Sequence, residues 1–155
     1  MNWKEIKESV YYLDGSLRDI YVQNVTKDDW LTWINFVNMN YQISMKVYET
    51  DEIYNKINDE LIFDYWQGQY ENCSTASIFL DGIKINTHFF SSLEIENDIT
   101  PLEINSIEDH KKLLKYLIDI SKILKKTVIL TAENSPEIIL IQVNGDKISY
   151  PRNKM

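Results

Sequence analysis

Two runs of alternating character, residues 75–80 and 83–90, meet at Asp81-Gly82. Asp-Gly accepts positive φ at both central positions of a type I′ turn, so the segment predicts a β-hairpin closed by two residues. A loop that short fixes the pairing. Leu80 then faces Ile83, Ile78 faces Ile85 and Ala76 faces Thr87 on one side, while Phe79 with Lys84, Ser77 with Asn86 and Thr75 with His88 share the other. The first side is apolar and belongs in a core. The second is mixed and is left to solvent or to a covering loop.

Around this hairpin the chain switches between period-2 and period-3.6 patterns. Residues 10–13 and 17–22 flank Asp14-Gly15-Ser16 and predict a first hairpin. Thr26, with Asp29 three residues on, reads as a helix cap before the stripe Trp30, Trp33, Ile34 and Val37. Residues 41–48 alternate as a half-buried strand. Asp51 is placed as the cap of a short helix carrying Ile53, Tyr54 and Ile57, either stopped at Asn58-Asp59 or extended to Leu61, and residues 65–74 as a loop. Residues 106–126 predict the longest helix, with Ser106 as cap, Glu108 and Asp109 at its positive end, Lys125 and Lys126 at its negative end, and Leu113, Leu114, Leu117, Ile120 and Leu124 as its stripe. A strand at 127–131, a turn at Asn134-Ser135-Pro136 and a hairpin about Asn144-Gly145, pairing Ile141 with Ile148 and Ile139 with Tyr150, complete the chain. This order predicts an α+β fold, a largely antiparallel sheet with two main helices packed on one face. No linker or repeat interrupts it, so residues 1–155 are expected to form a single domain.

Charge narrows the partners. The net charge is −8, which opposes nucleic-acid binding. The longest apolar run, Ile138 to Ile141, is far short of the roughly 20 residues that span a bilayer, and no signal-peptide core opens the chain, so a cytoplasmic protein without a membrane partner is expected. Residues 47–110 hold fourteen of the 24 acids but only Lys56 and Lys84 as bases, while six lysines crowd residues 111–126. The molecule is thus expected to be electrically polar, with an acidic region fit for a cationic protein partner.

Chemistry-bearing residues are few. None of the dinucleotide, phosphate-loop, zinc-protease, nucleophile-elbow or EF-hand patterns occurs, and no cofactor or metal is expected. His88 falls diagonally from Cys73 on one face of the hairpin, roughly 7 Å away, so a Cys/His nucleophile pair is geometrically conceivable; a satisfied strand histidine and a small buried cysteine form the simpler reading. His110, in line with Ile107 and Leu114, reads as packing at the core rim. Glu94, Glu96 and Asp98 alternate and would project from one face of a strand, as part of an acidic surface rather than a dedicated cation loop. Trp66 and Tyr70, in a polar stretch, are candidate exposed contacts, with a loop aromatic folded back over the sheet as the alternative.

The run from Tyr12 through Asp14-Gly15 to Val22, the Trp-containing helix after it, His88-Phe89-Phe90 and the stretch from Thr127 to Asn134 together resemble a family of small single-domain bacterial proteins of uncharacterised function. In size and acidity such proteins are similar to the immunity proteins that neutralise toxins of competing bacteria. The likeness is one of class and carries over no contact residue; together with the charge layout it points to a bacterial, non-enzymatic interaction domain, whose binding residues, read from the acidic region and the polar aromatic stretch, are Glu94, Glu96, Asp98, Trp66 and Tyr70. Two other readings stand beside it: a small enzyme or metal-assisted hydrolase using His88 and Cys73, and a ligand-binding domain that forms a homodimer through uncovered sheet surface.

Overall fold

The computed structural model describes residues 1–47, 50–72 and 74–151. In chain order the elements are α1 (Trp3–Ser9), β1 (Arg18–Gln23), α2 (Lys27–Asn40), β2 (Gln42–Lys46), β3 (Ile53–Tyr54), α3 (Asp59–Trp66), β4 (Thr75–Phe79), β5 (Lys84–His88), β6 (Glu94–Ile99), a 3-10 turn at Pro101–Glu103, α4 (Ile107–Leu124), β7 (Val128–Ala132), β8 (Ser135–Asn144) and β9 (Lys147–Ser149). All strands join one antiparallel sheet in the order β3-β2-β4-β5-β6-β1-β7-β8-β9. The α+β class is as expected. The sheet is larger, and the helices more numerous, than the two-helix reading allowed.

Local chemistry explains the elements that follow the sequence pattern. Thr26 and Asp29 form a reciprocal capping box, with the Asp29 N–H donating to Thr26 Oγ1 (3.1 Å) and the Thr26 N–H to Asp29 Oδ2 (2.9 Å). The α2 stripe Trp30, Trp33, Ile34 and Val37 is buried, as is most of the α4 stripe together with Tyr116. These two helices pack on each other and on the sheet, and α1 and α3 add Ile6 and Ile62 to the same buried cluster. The β4-β5 hairpin keeps its expected register, Ile78 opposite Ile85 and Thr75 opposite His88, over a turn with φ of 46° at Asp81 and 92° at Gly82. Four polar side chains cross the core as a chain: Trp33 Nε1 donates to the Tyr116 hydroxyl (3.2 Å), which donates to Asn97 Oδ1 (2.6 Å), and Asn97 Nδ2 donates to Thr87 Oγ1 (3.2 Å). Among the described residues no helix is long and apolar enough to cross a membrane.

Three expectations are corrected. Residues 10–13 are not a strand: β1 is flanked on both sides, by β6 and β7, so no edge remains for a hairpin partner. Their carbonyls serve the buried Arg18 guanidinium instead, which donates to the oxygens of Val10 (2.7 Å) and Tyr12 and covers the Tyr12 ring at 4.0 Å. Asn58 begins a helix rather than ending one. Its side chain accepts from the Leu61 N–H (3.2 Å), and Asp59 and Glu60 occupy the favourable first turn of α3, while Ile53 and Tyr54 form an edge strand. Thirdly, the last hairpin turns at Gly145-Asp146, pairing Val143 with Ile148 and Gln142 with Ser149. Only Gly145 has positive φ (62°), so a single left-handed position suffices; the two-residue shift in pairing leaves each side chain on its expected face. Tyr48, at the end of the strand expected over 41–48, lies outside the described residues.

Candidate functional site

Pairing across six strands assembles a polar field on the sheet face opposite the helical core. One row runs Thr131, Asp19, Asp98, Asn86, Ser77, Ser44, each directly opposite the next. The adjacent row runs Ile129, Tyr21, Glu96, His88, Thr75, Lys46, and Glu94 lies beyond it opposite Gln23. Glu94, Glu96 and Asp98 therefore share one face, and β1 brings Asp19 and Tyr21 beside them. No local pattern announces those last two, because the β1-β6 pairing links residues more than 70 positions apart.

The centre of the field is hydrogen-bonded throughout. Asp98, 7% exposed, accepts from Asn86 Nδ2 (3.0 Å) at Oδ1 and from His88 Nε2 (2.5 Å) at Oδ2. Asp19, 4% exposed, accepts at Oδ2 from the Asn134 N–H (2.7 Å) and the Tyr21 hydroxyl (3.1 Å). Burial raises the pKa of Asp19, against the lowering effect of its two donors, and the neighbouring Asp98 charge adds to the rise. Burial likewise raises Glu96, which the Tyr21 hydroxyl partly offsets. His88 is raised above its ordinary value, chiefly by its hydrogen bond to Asp98. Asp19 and Glu96 therefore cost energy to keep ionised, and a cation arriving from outside would relieve that cost.

No lysine or arginine among the described residues forms an ion pair with Asp19, Glu94, Glu96 or Asp98. Four of the six lysines in residues 111–126 pair with acids elsewhere: Lys112 with Asp81 and Asp109, Lys115 with Asp119, Lys122 with Asp146 and Lys126 with Asp29. Lys46 lies in the second row, but three strands from Glu96, about 14 Å at ordinary strand spacing. At the rim, the Phe90 ring stacks on His88 (centroids 5.1 Å apart, planes 3° apart) and is 62% exposed.

The aromatic candidates lie apart from this field. Trp66 is half-buried against the core, its ring 4.8 Å from that of Trp30 and its Nε1 donating to the Phe89 carbonyl (2.8 Å). Trp66 thus closes α3 instead of lying in the loop expected over 65–74, and it packs against α2. Tyr70, 49% exposed, lines a separate cleft near β3. Of the nucleophile pair, Cys73 lies outside the described residues, and His88 shares no hydrogen bond with a hydroxyl among those described. No set of three or more histidine, cysteine or carboxylate side chains among the described residues is arranged to hold a metal ion. His110 is buried outright, not at a rim, between the hydroxyls of Tyr11 (2.6 Å from Nδ1) and Tyr150 (2.9 Å from Nε2). Comparison of the chain with protein-family models, with curated proteins and with solved structures found no match.

Proposed function

We propose that this chain is a non-enzymatic protein-interaction domain of the immunity type, acting in the bacterial cytoplasm, which docks a cationic partner protein on the face carrying Asp19, Glu94, Glu96 and Asp98. The observation that carries this reading is the segregation of charge: four carboxylates gather on one sheet face without a lysine or arginine ion partner among the described residues, while Lys112, Lys115 and Lys122 of α4 pair with other acids. Such a face speeds encounter with a basic surface and selects against acidic ones. Glu94 and Glu96 are its accessible members, and exposed Phe90 supplies apolar contact beside them. Asp98 acts from beneath by holding His88.

The test uses the product of the gene adjoining the coding sequence as partner, with association rates measured at about 50 and 300 mM salt. The expected result is a rate that falls steeply with salt, and a complex weakened by Glu94→Lys and Glu96→Lys in a protein of unchanged stability. Salt-independent binding that ignores both reversals would overturn the proposal. A second reading, a small hydrolase, draws on the His88-Asp98 hydrogen bond, since a carboxylate that orients an imidazole is what a general base needs. It predicts an ester- or amide-cleaving activity lost in His88→Gln.

A further inference from the structure

A cleft of about 400 Å³ opens at the β3 edge of the sheet, between β3, α3 and the loop that follows α3. Three tyrosines line it, Tyr54 from β3, Tyr65 from α3 and Tyr70 from the loop, with the carboxylates of Glu52 and Glu71 among them. No lysine, arginine or histidine belongs to its described lining. The Tyr54 hydroxyl donates to Glu52 Oε2 (2.9 Å), which ties that carboxylate to the Tyr54 ring through one of its two oxygens. The C-terminal turn of α3 borders the same cleft through Tyr65, and that turn carries no basic side chain to answer the negative end of the helix dipole. Aromatic rings, two carboxylates and a helix C-terminus each favour positive charge, and the apolar Leu61 and Val47 in the lining favour an organic cation over a hydrated metal ion.

We infer that this cleft is a binding site for an alkylammonium or guanidinium group, held by Glu52 and Glu71 among the rings of Tyr54, Tyr65 and Tyr70. The site lies apart from the carboxylate face of β1 and β6, so it does not depend on the partner-docking role proposed for that face. The cation has two sources with the same chemistry, a free small organic cation or the lysine or arginine side chain of another protein.

The test is an NMR titration of the full chain at constant ionic strength, following the ring signals of Tyr54, Tyr65 and Tyr70. The probes are choline, the capped peptides Ac-Gly-Lys-Gly-NH2 and Ac-Gly-Arg-Gly-NH2, and 3,3-dimethylbutan-1-ol, the uncharged isostere of choline. Saturable shifts at millimolar concentration are expected with choline or with a peptide, and none with the isostere. Saturation by choline identifies a free cation as sufficient; saturation by the peptides alone identifies a protein side chain. Removing both carboxylates in Glu52→Gln/Glu71→Gln should weaken binding about tenfold, and Tyr70→Ala about fivefold, with the unfolding midpoint held as the control for folding. Absence of saturable shifts with every cation, equal binding of the isostere, or unchanged affinity in the carboxylate variant would each overturn the inference. None of these results would alter the salt dependence predicted for the β1-β6 face.

Discussion

Acidification should destabilise this protein through His110. His110 is 1% exposed, and both ring nitrogens are within hydrogen-bond distance of tyrosine hydroxyls, Tyr11 on one side and Tyr150 on the other. The neutral imidazole suits that setting, donating from one nitrogen and accepting at the other. A charged ring would have no carboxylate bonded to it, and burial depresses its pKa from 6.5 to about 4. The unfolded chain therefore takes up a proton on His110 as the pH falls below 6.5, while the folded chain resists until about pH 4. The stabilisation is present above pH 6.5 and is lost on acidification. Linkage puts the loss at about 2 kcal/mol by pH 5 and about 3 kcal/mol by pH 4. Urea unfolding of the wild type and of His110→Gln across about pH 7.5 to 4 isolates this contribution, because the other titrating groups cancel in the difference. The wild-type advantage should shrink by those amounts. A difference that stays constant across the range would show that His110 keeps an ordinary pKa and would refute the reasoning.

His88 should behave with the opposite sign. Its pKa is raised by Asp98, so its stabilisation is present below pH 6.5 and is lost as the pH rises through the higher folded value. His88→Gln should cost about 1–2 kcal/mol near pH 5.5 and clearly less near pH 9 in the same urea assay, and equal costs at both would count against a proton shared with Asp98. In the core, Asn97→Ala deprives both the Tyr116 hydroxyl and Thr87 of their partner, and should lower stability by about 2–3 kcal/mol. Asn97→Ala combined with Tyr116→Phe should recover part of that loss, whereas simple addition of the two single effects would deny that they act as one network.

What could be read from the chain divides by the range of the interaction responsible. The β4-β5 register followed from Asp81-Gly82 because a two-residue turn carries its own geometry. The alternation of Glu94, Glu96 and Asp98 placed those three on one face for the same local reason. Asp19 and Tyr21 join them only through pairing with a strand more than 70 residues away, and neither side chain bears a local mark of it. Residues 10–13 have strand-like composition, yet the slot beside β1 is occupied by β6 and β7, so tertiary context overrode propensity. Asn58 shows an ambiguity of a different kind: asparagine both interrupts helices and caps them, and only the Leu61 N–H it receives decides which.

The position of β1 bears on how the chain reaches its native state. The strand β1 joins two blocks, β3-β2-β4-β5-β6 and β7-β8-β9, that otherwise share no edge. Its second neighbour leaves the ribosome more than 100 residues after it does. Closure of the sheet must therefore wait for β7, and loop closure across more than 100 residues slows folding. Until then both flanks of the early strand are unsatisfied, so nascent chains stalled before Val128 are the species that chaperones should hold.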